Sequence, residues 1–290
     1  MYTVGRAAAL TGIPRETLRK WESRYGVVRP SRSEGGYRMY DDDALRRLTA
    51  MRDLVDAGLS PREAAAQVLA RTEPEADGVA PTDGVGDLDA LTRAGEEMDP
   101  LLLERALADG LPGHDLEVEV DRWLFPALVR LGLAWRDGRV TVAGEHFASA
   151  GAQRRLARLF DTAPAPAATA PHAVVGLARG SRHELGVLAF AVLLRRHGVR
   201  VTYVGGDLPG EAWLSTVRAL APDAVVVGVP TPEDVPAVRE VVSTVAAHAP
   251  AVLIGVGGGH QDRIAEGVHL GHDVSAAARD LADRLRADGS

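Results

Sequence analysis

The chain has 290 residues, 46% of them hydrophobic and 25% charged, a balance that fits two or three soluble globular domains. It has no cysteine, which excludes disulfides, thiolate metal sites and cysteine nucleophiles, and no apolar run approaches the ~20 residues of a membrane span. The net charge of -7 is uneven: residues 1–71 carry 13 Lys+Arg against 9 Asp+Glu, about +4, so the remainder carries about -11.

In chain order, residues 3–12 read as a short helix ending at Gly12, and Pro14 opens a second that runs to Tyr25. Leu18, Trp21 and Tyr25 repeat at helical spacing and would face a core, leaving Arg15, Arg19 and Lys20 outside. Residues 28–40 place turn residues between extended ends, the pattern of a wing-like hairpin. Asp41–Asp43 cap a helix to about Ala57, and Ser60-Pro61 with Glu63 forms a capping box at the start of another. Two short helices around a tight turn form a helix-turn-helix, whose second helix enters the major groove.

These residues carry a resemblance. Thr3, Val4, the Leu18–Glu22 stretch, Tyr25, Gly26, Arg29, Pro30 and Gly36–Tyr40 resemble the winged-helix head of the MerR family. The resemblance implies dimers on pseudo-palindromic double-stranded operator DNA, with RNA polymerase at the promoter as a further candidate partner. It assigns Arg15, Arg19 and Lys20 to the groove and Arg38 to phosphate, with Arg24 and Tyr37 as further DNA-binding residues. Arginine's forked donors suit guanine edges and phosphates.

Residues 72–86 are an acidic linker rich in Pro and Gly. Helices are then expected from Leu88, from Pro100 to Ala108, from His114 to Trp135 and from Val140 to Phe160, with Pro126 kinking or dividing the third. Four amphipathic helices with short loops make a small bundle over 87–162. Trp135, Glu145 and His146 stand across the turn between the last two helices, and spacing alone makes them a core tryptophan beside a solvated polar pair. The pattern Trp-x9-Glu-His resembles the helical cap of CarH/LitR-type photoreceptors, and that resemblance puts the three residues over the upper face of adenosylcobalamin.

Residues 163–171 are a second, proline-stiffened linker. From 172 to 290, strand-like and helical segments alternate, with strands near 173–178, 199–204, 224–229 and 251–255 and a weaker fifth near 267–270. Helices fall near 184–196, 210–220, 233–247 and 274–286, so the fold expected is a flavodoxin-like, Rossmann-type doubly wound parallel sheet. The strand-end loops hold His183, Gly205-Gly206-Asp207, Gly228–Pro232 and Gly255–His260. Their order resembles the cobalamin-binding domain. By that resemblance His183 ligates cobalt, Gly186, Gly228, Thr231, Gly257 and Gly258 contact the cofactor, and the remaining histidines stay structural or solvent-exposed.

Three positions depart from the family pattern. Ser181 replaces the acidic residue that would orient the histidine, Gly228-Val229-Pro230 stands in place of Ser-x-Leu, and Arg136 stands where light-responsive members carry a second histidine. Two readings follow. One is a cytoplasmic, adenosylcobalamin-dependent repressor whose dark tetramer binds DNA and dissociates in light. The other is a MerR-like regulator that acts without cobalamin or without light. A corrinoid carrier enzyme leaves the DNA-binding head unexplained, so no enzymatic activity is expected.

Overall fold

The computed structural model describes residues 2–28, 30–32, 38–40, 42–56, 59–70 and 86–288. The chain divides into two compact units, Met1–Ala80 and Pro81–Ser290.

In the first unit, β1 (Tyr2–Thr3) leads into α1 (Val4–Thr11) and α2 (Arg15–Tyr25), followed by β2 (Ser31–Arg32), β3 (Arg38–Tyr40), α3 (Asp42–Asp56) and α4 (Pro61–Ala70). Gly12 stops α1 in the left-handed region, φ +70°, and Gly26 stops α2 at +65°, conformations that cost glycine nothing. Ser60 and Glu63 cap each other's backbone N–H at 3.0 and 3.3 Å, as the spacing requires. The β1 strand was absent from the sequence expectation: two residues carry no periodicity, and only pairing with Met39 and Tyr40 of β3 makes them a strand. Leu18, Trp21, Tyr40, Leu48, Met51 and Leu54 form the buried centre.

The second unit opens with four helices: α5 (Ala90–Glu97), α6 (Pro100–Gly110), a composite third, and α9 (Val142–Thr162). The third comprises α7 (Leu116–Glu119), a π turn over Val120–Leu124, and α8 (Phe125–Arg136). The expected break at Pro126 therefore takes the form of one wide turn just ahead of the proline. That turn answers the missing N–H and the ring's clash with the preceding carbonyl without ending the helix. Trp123, in this turn, is buried against Gly110, where a Cβ would lie 1.9 Å from the indole.

The α/β layer follows, with β4 (His172–Ala178), α10 (Glu184–Arg196), β5 (Arg200–Leu208), α11 (Gly210–Leu220), β6 (Ala224–Gly228), α12 (Val235–His248), β7 (Leu253–Gly257), β8 (Val268–His269) and α13 (Val274–Asp288). The strands are parallel in the order β5-β4-β6-β7-β8, the flavodoxin-like winding, with β4 wholly buried. Helices α10 and α13 share one apolar core with the four-helix layer; Trp213 of α11 and the valines of α12 fill the other face.

The extent of β5 departs from the sequence expectation. It runs through Gly205-Gly206-Asp207, which glycine content marks as loop, because an edge strand can absorb the two register shifts seen opposite Gly176. No helix among the described residues is long and apolar enough to cross a membrane.

Candidate functional site

On α2 the apolar spacing resolves as expected: Leu18 and Trp21 are buried, Tyr25 is half-buried, and Arg15, Arg19, Lys20 and Arg24 are exposed. The Arg15 guanidinium lies over Gly5 of α1, where a Cβ would come within 2.6 Å of its nitrogen. Arg24 sits over the Tyr25 ring at 5.8 Å. Arg38 gives its Nε–H to both carboxylate oxygens of Glu22, at 2.9 and 3.0 Å, so the wing strand is tied to α2. That hydrogen bond and charge raise the Arg38 pKa. Burial, then the Glu22 charge, pushes the Tyr40 hydroxyl up to about 12. Glu22 thus has a role that its place in the motif does not reveal. Tyr37 lies outside the described residues.

In the second unit, His183 forms the N-cap position of α10 at the carboxyl end of β4. It is exposed, and none of the hydrogen bonds or ion pairs of the described residues involves its ring. Gly186, one turn further, faces open space: a Cβ there would meet nothing within 4 Å. Two residues before the histidine, Ser181 is 1% exposed and its Oγ has no hydrogen-bond partner. Among the described residues no three His, Cys, Asp or Glu side chains group as ligands for a bare ion. A lone, accessible imidazole could serve as the single protein ligand of a metal whose other ligands come from a cofactor.

Around this point the strand ends converge. Asp207 accepts the Gly180 N–H at 2.7 Å, while its own N–H donates to the Ser181 carbonyl at 2.9 Å. The Tyr203 hydroxyl donates to Glu184 at 2.8 Å, and burial together with that bond raises the tyrosine's pKa. Gly228 closes β6 against Leu177, leaving 2.6 Å for a Cβ. The Thr231 hydroxyl and N–H both donate to Asp234, at 2.7 and 2.8 Å, so this side chain holds its own turn. Gly257 ends β7. Gly258, at φ +102°, packs on the Val229 backbone, where a Cβ would lie 2.8 Å from the carbonyl oxygen.

Trp135 ends α8 with 49% of its surface exposed, the opposite of a core tryptophan. Glu145 pairs with His146 at 3.0 Å and accepts from Ser149 at 2.6 Å. Arg136 approaches Asp137 at 3.9 Å. Helix α9 packs along α10, and their C-terminal ends meet where the Arg195 guanidinium covers the Phe160 ring at 4.9 Å. The N-terminal part of α9, with Glu145 and His146, therefore extends toward the end of α10 that begins at His183. None of these hydrogen bonds or ion pairs joins the cap residues to His183.

Comparison with known proteins gives matches in three stretches of the chain. The MerR HTH family regulatory protein profile matches residues 2–70, and two B12 binding domain profiles match residues 87–160 and 171–282. Over 262 residues the chain is 36% identical to the HTH-type transcriptional repressor CarA of Myxococcus xanthus, covering 86% of this chain and 85% of that one. It is 34% identical over 237 residues to the HTH-type transcriptional repressor CarH of the same organism, covering 77% of each. The structure of a monomethylamine corrinoid protein from Methanosarcina barkeri aligns with a TM-score of 0.52 at 16% identity, over 68% of this chain and 95% of that one, a likeness of fold.

Proposed function

Since the chain belongs to the family of MerR-type regulators with B12 binding domains that includes CarA and CarH, we propose that it is a cytoplasmic, adenosylcobalamin-dependent repressor that answers to light. In the dark a cofactor-loaded tetramer occupies operator DNA through Arg15, Arg19, Lys20 and Arg24; on illumination it dissociates and transcription resumes. The division of labour is residues 1–71 for DNA, 87–162 for the cap and 172–290 for the cofactor, with linkers at 72–86 and 163–171.

The observation that carries this reading is the placement of His183, exposed at the first strand's carboxyl end with Gly186 open beside it. Bound adenosylcobalamin supplies a cobalt–carbon bond that visible light breaks. The chain's own residues do the rest. His183 would offer its imidazole to the cobalt, and Gly257 and Gly258 would let backbone approach the cofactor closely. Thr231 fixes the turn after Gly228 through Asp234. The exposed Trp135 indole would supply a flat apolar surface for the adenosyl group, and Glu145 would accept from its hydroxyls. A ligand that binds the assembled form better shifts assembly only by that difference in affinity, so loss of the upper contacts is what lets the tetramer fall apart.

A second reading, a regulator that acts without cobalamin or without light, is favoured by Ser181, by Gly228-Val229-Pro230 and by Arg136. One experiment separates the two. Purified protein is titrated with adenosylcobalamin by absorbance, in the dark and after green light, with gel filtration and an operator-fragment shift alongside. Binding with a dark tetramer that dissociates in light supports the first reading. A colourless protein that still shifts DNA supports the second.

A further inference from the structure

The loop bearing His183 is fastened on both sides by residues of one strand, β5. On its N-terminal side, Asp207 closes a two-way clasp: Oδ1 accepts from the Gly180 N–H at 2.7 Å and the Asp207 N–H donates to the Ser181 carbonyl at 2.9 Å. On its C-terminal side, the Tyr203 hydroxyl holds the carboxylate of Glu184, the residue after the histidine, at 2.8 Å. Gly206 lets the two segments touch, since a Cβ there would stand 2.8 Å from the Ser181 carbonyl oxygen.

Asp207 occupies φ +58°, a left-handed conformation that disfavours an L side chain, directly after two glycines that would take it freely. Such strain persists where the surroundings over-determine the residue, and here the reason is the carboxylate it delivers to Gly180. Ser181 delivers nothing comparable, being uncharged and without a partner for its buried Oγ. We propose that Asp207 and Tyr203 are the positioning residues of His183, taking over the orienting task that a carboxylate at position 181 would perform. The proposal rests on the reading of His183 as the axial ligand of cobalamin. The Tyr203 ring also meets Phe160 of α9 at 6.3 Å between centroids, so the second fastening is seated against the cap layer.

The test uses the full chain and hydroxocobalamin, at concentrations where gel filtration shows one assembly state for all variants. Affinity is read by absorbance titration, and axial ligation by the nitrogen splitting in the electron paramagnetic resonance spectrum after reduction to the cobalt(II) form. Asp207→Gly keeps the backbone and removes the acceptor. It should weaken binding about tenfold, the size of effect that outer partners of metal ligands usually have, and blur the nitrogen splitting without lowering cofactor-free thermal stability. Asp207→Asn, which retains an acceptor oxygen, should recover most of the affinity, and Tyr203→Phe should show a smaller loss in the same sense. Ser181→Glu placed in the Asp207→Gly background should restore the splitting. Unchanged affinity and splitting in both Asp207→Gly and Tyr203→Phe would overturn the proposal. So would a loss matched by falling cofactor-free stability and rescued by neither Asn nor Glu. The underlying reading fails separately, if the parent does not bind hydroxocobalamin or if labelling the protein's histidines with the heavy nitrogen isotope leaves the splitting unchanged.

Discussion

In the head, the four exposed basic residues of α2 rise from one helix, whereas in the body the loop that bears one histidine is fastened by residues of another strand, β5. The difference is one of range. Leu18 and Trp21 bury one side of α2 and thereby aim Arg15, Arg19, Lys20 and Arg24 outward, a consequence of 3.6-residue periodicity alone. The loop at His183 owes its shape to Asp207, whose carboxylate arrives from 27 residues away. A surface carried on one helix tolerates change elsewhere in the chain; a loop fastened from a distant strand does not.

The largest test of that contrast is Trp123→Ala. Trp123 is 1% exposed, is seated on Gly110 and donates its indole N–H to the Asp87 carbonyl at 3.0 Å. Its truncation should cost about 3–5 kcal/mol of the body's stability. Calorimetry should show the body's transition fall while the head's stays put, and a gel shift with the isolated head as standard should find the DNA surface intact. A common fall of both transitions would break the comparison.

Arg19→Ala comes next. Arg19 is exposed and makes no hydrogen bond or ion pair within the described head, so its loss should leave stability unchanged. On the proposed reading its removal should weaken operator binding by about 1–3 kcal/mol, with a reduced salt dependence if it contacts phosphate. Cobalamin uptake measured on the same sample should not change; joint loss of both would mean the substitution unfolds the chain.

Trp135→Ala should act on the body in a ligand-specific way. Stacking of a base on an aromatic ring contributes about 1–3 kcal/mol, so adenosylcobalamin binding should weaken by that order while hydroxocobalamin binding, which lacks the adenosyl group, holds. Equal losses for both forms would remove Trp135 from the upper face. Its 49% exposure makes a folding explanation for such a result easy to check, since truncation there should barely move the melting temperature.

The same contrast of range explains what could be read from residues alone. Gly12, Pro14, the Ser60–Glu63 box and the alternation of strands with helices are local signals, and each stands where its chemistry puts it. The continuation of β5 through two glycines and the two-residue β1 both depend on a partner distant in sequence. The site divides the same way. His183 and Gly186 are visible as a spacing, but the fastening by Asp207 and Tyr203 is not, because nothing near either residue announces the loop it meets. Glu22 is the head's equivalent: its carboxylate faces a wing arginine 16 residues on.

The smallest expected effect, a pH dependence, discriminates the two regions most cleanly because all nine histidines lie in the body and none in residues 1–71. His172 opens β4, is 8% exposed and shares a hydrogen bond of 2.8 Å with the Thr202 hydroxyl. Burial, and then the nearby Arg200 charge, lowers its pKa against a weaker opposing pull from Asp223. The folded body therefore keeps this imidazole neutral, while the unfolded chain protonates it below about 6.5. Between the lowered folded value and 6.5 the unfolded state binds more protons, so stability rises with pH through that window and levels off above it. Acidifying from pH 7.5 to 5.5 should lower the body's melting temperature and leave the head's unchanged over that interval. His172→Gln, which is uncharged throughout, should flatten part of the body's slope. A slope unaltered by the substitution would assign the acid sensitivity to another group in the same unit, and a slope in the head would have no histidine to explain it.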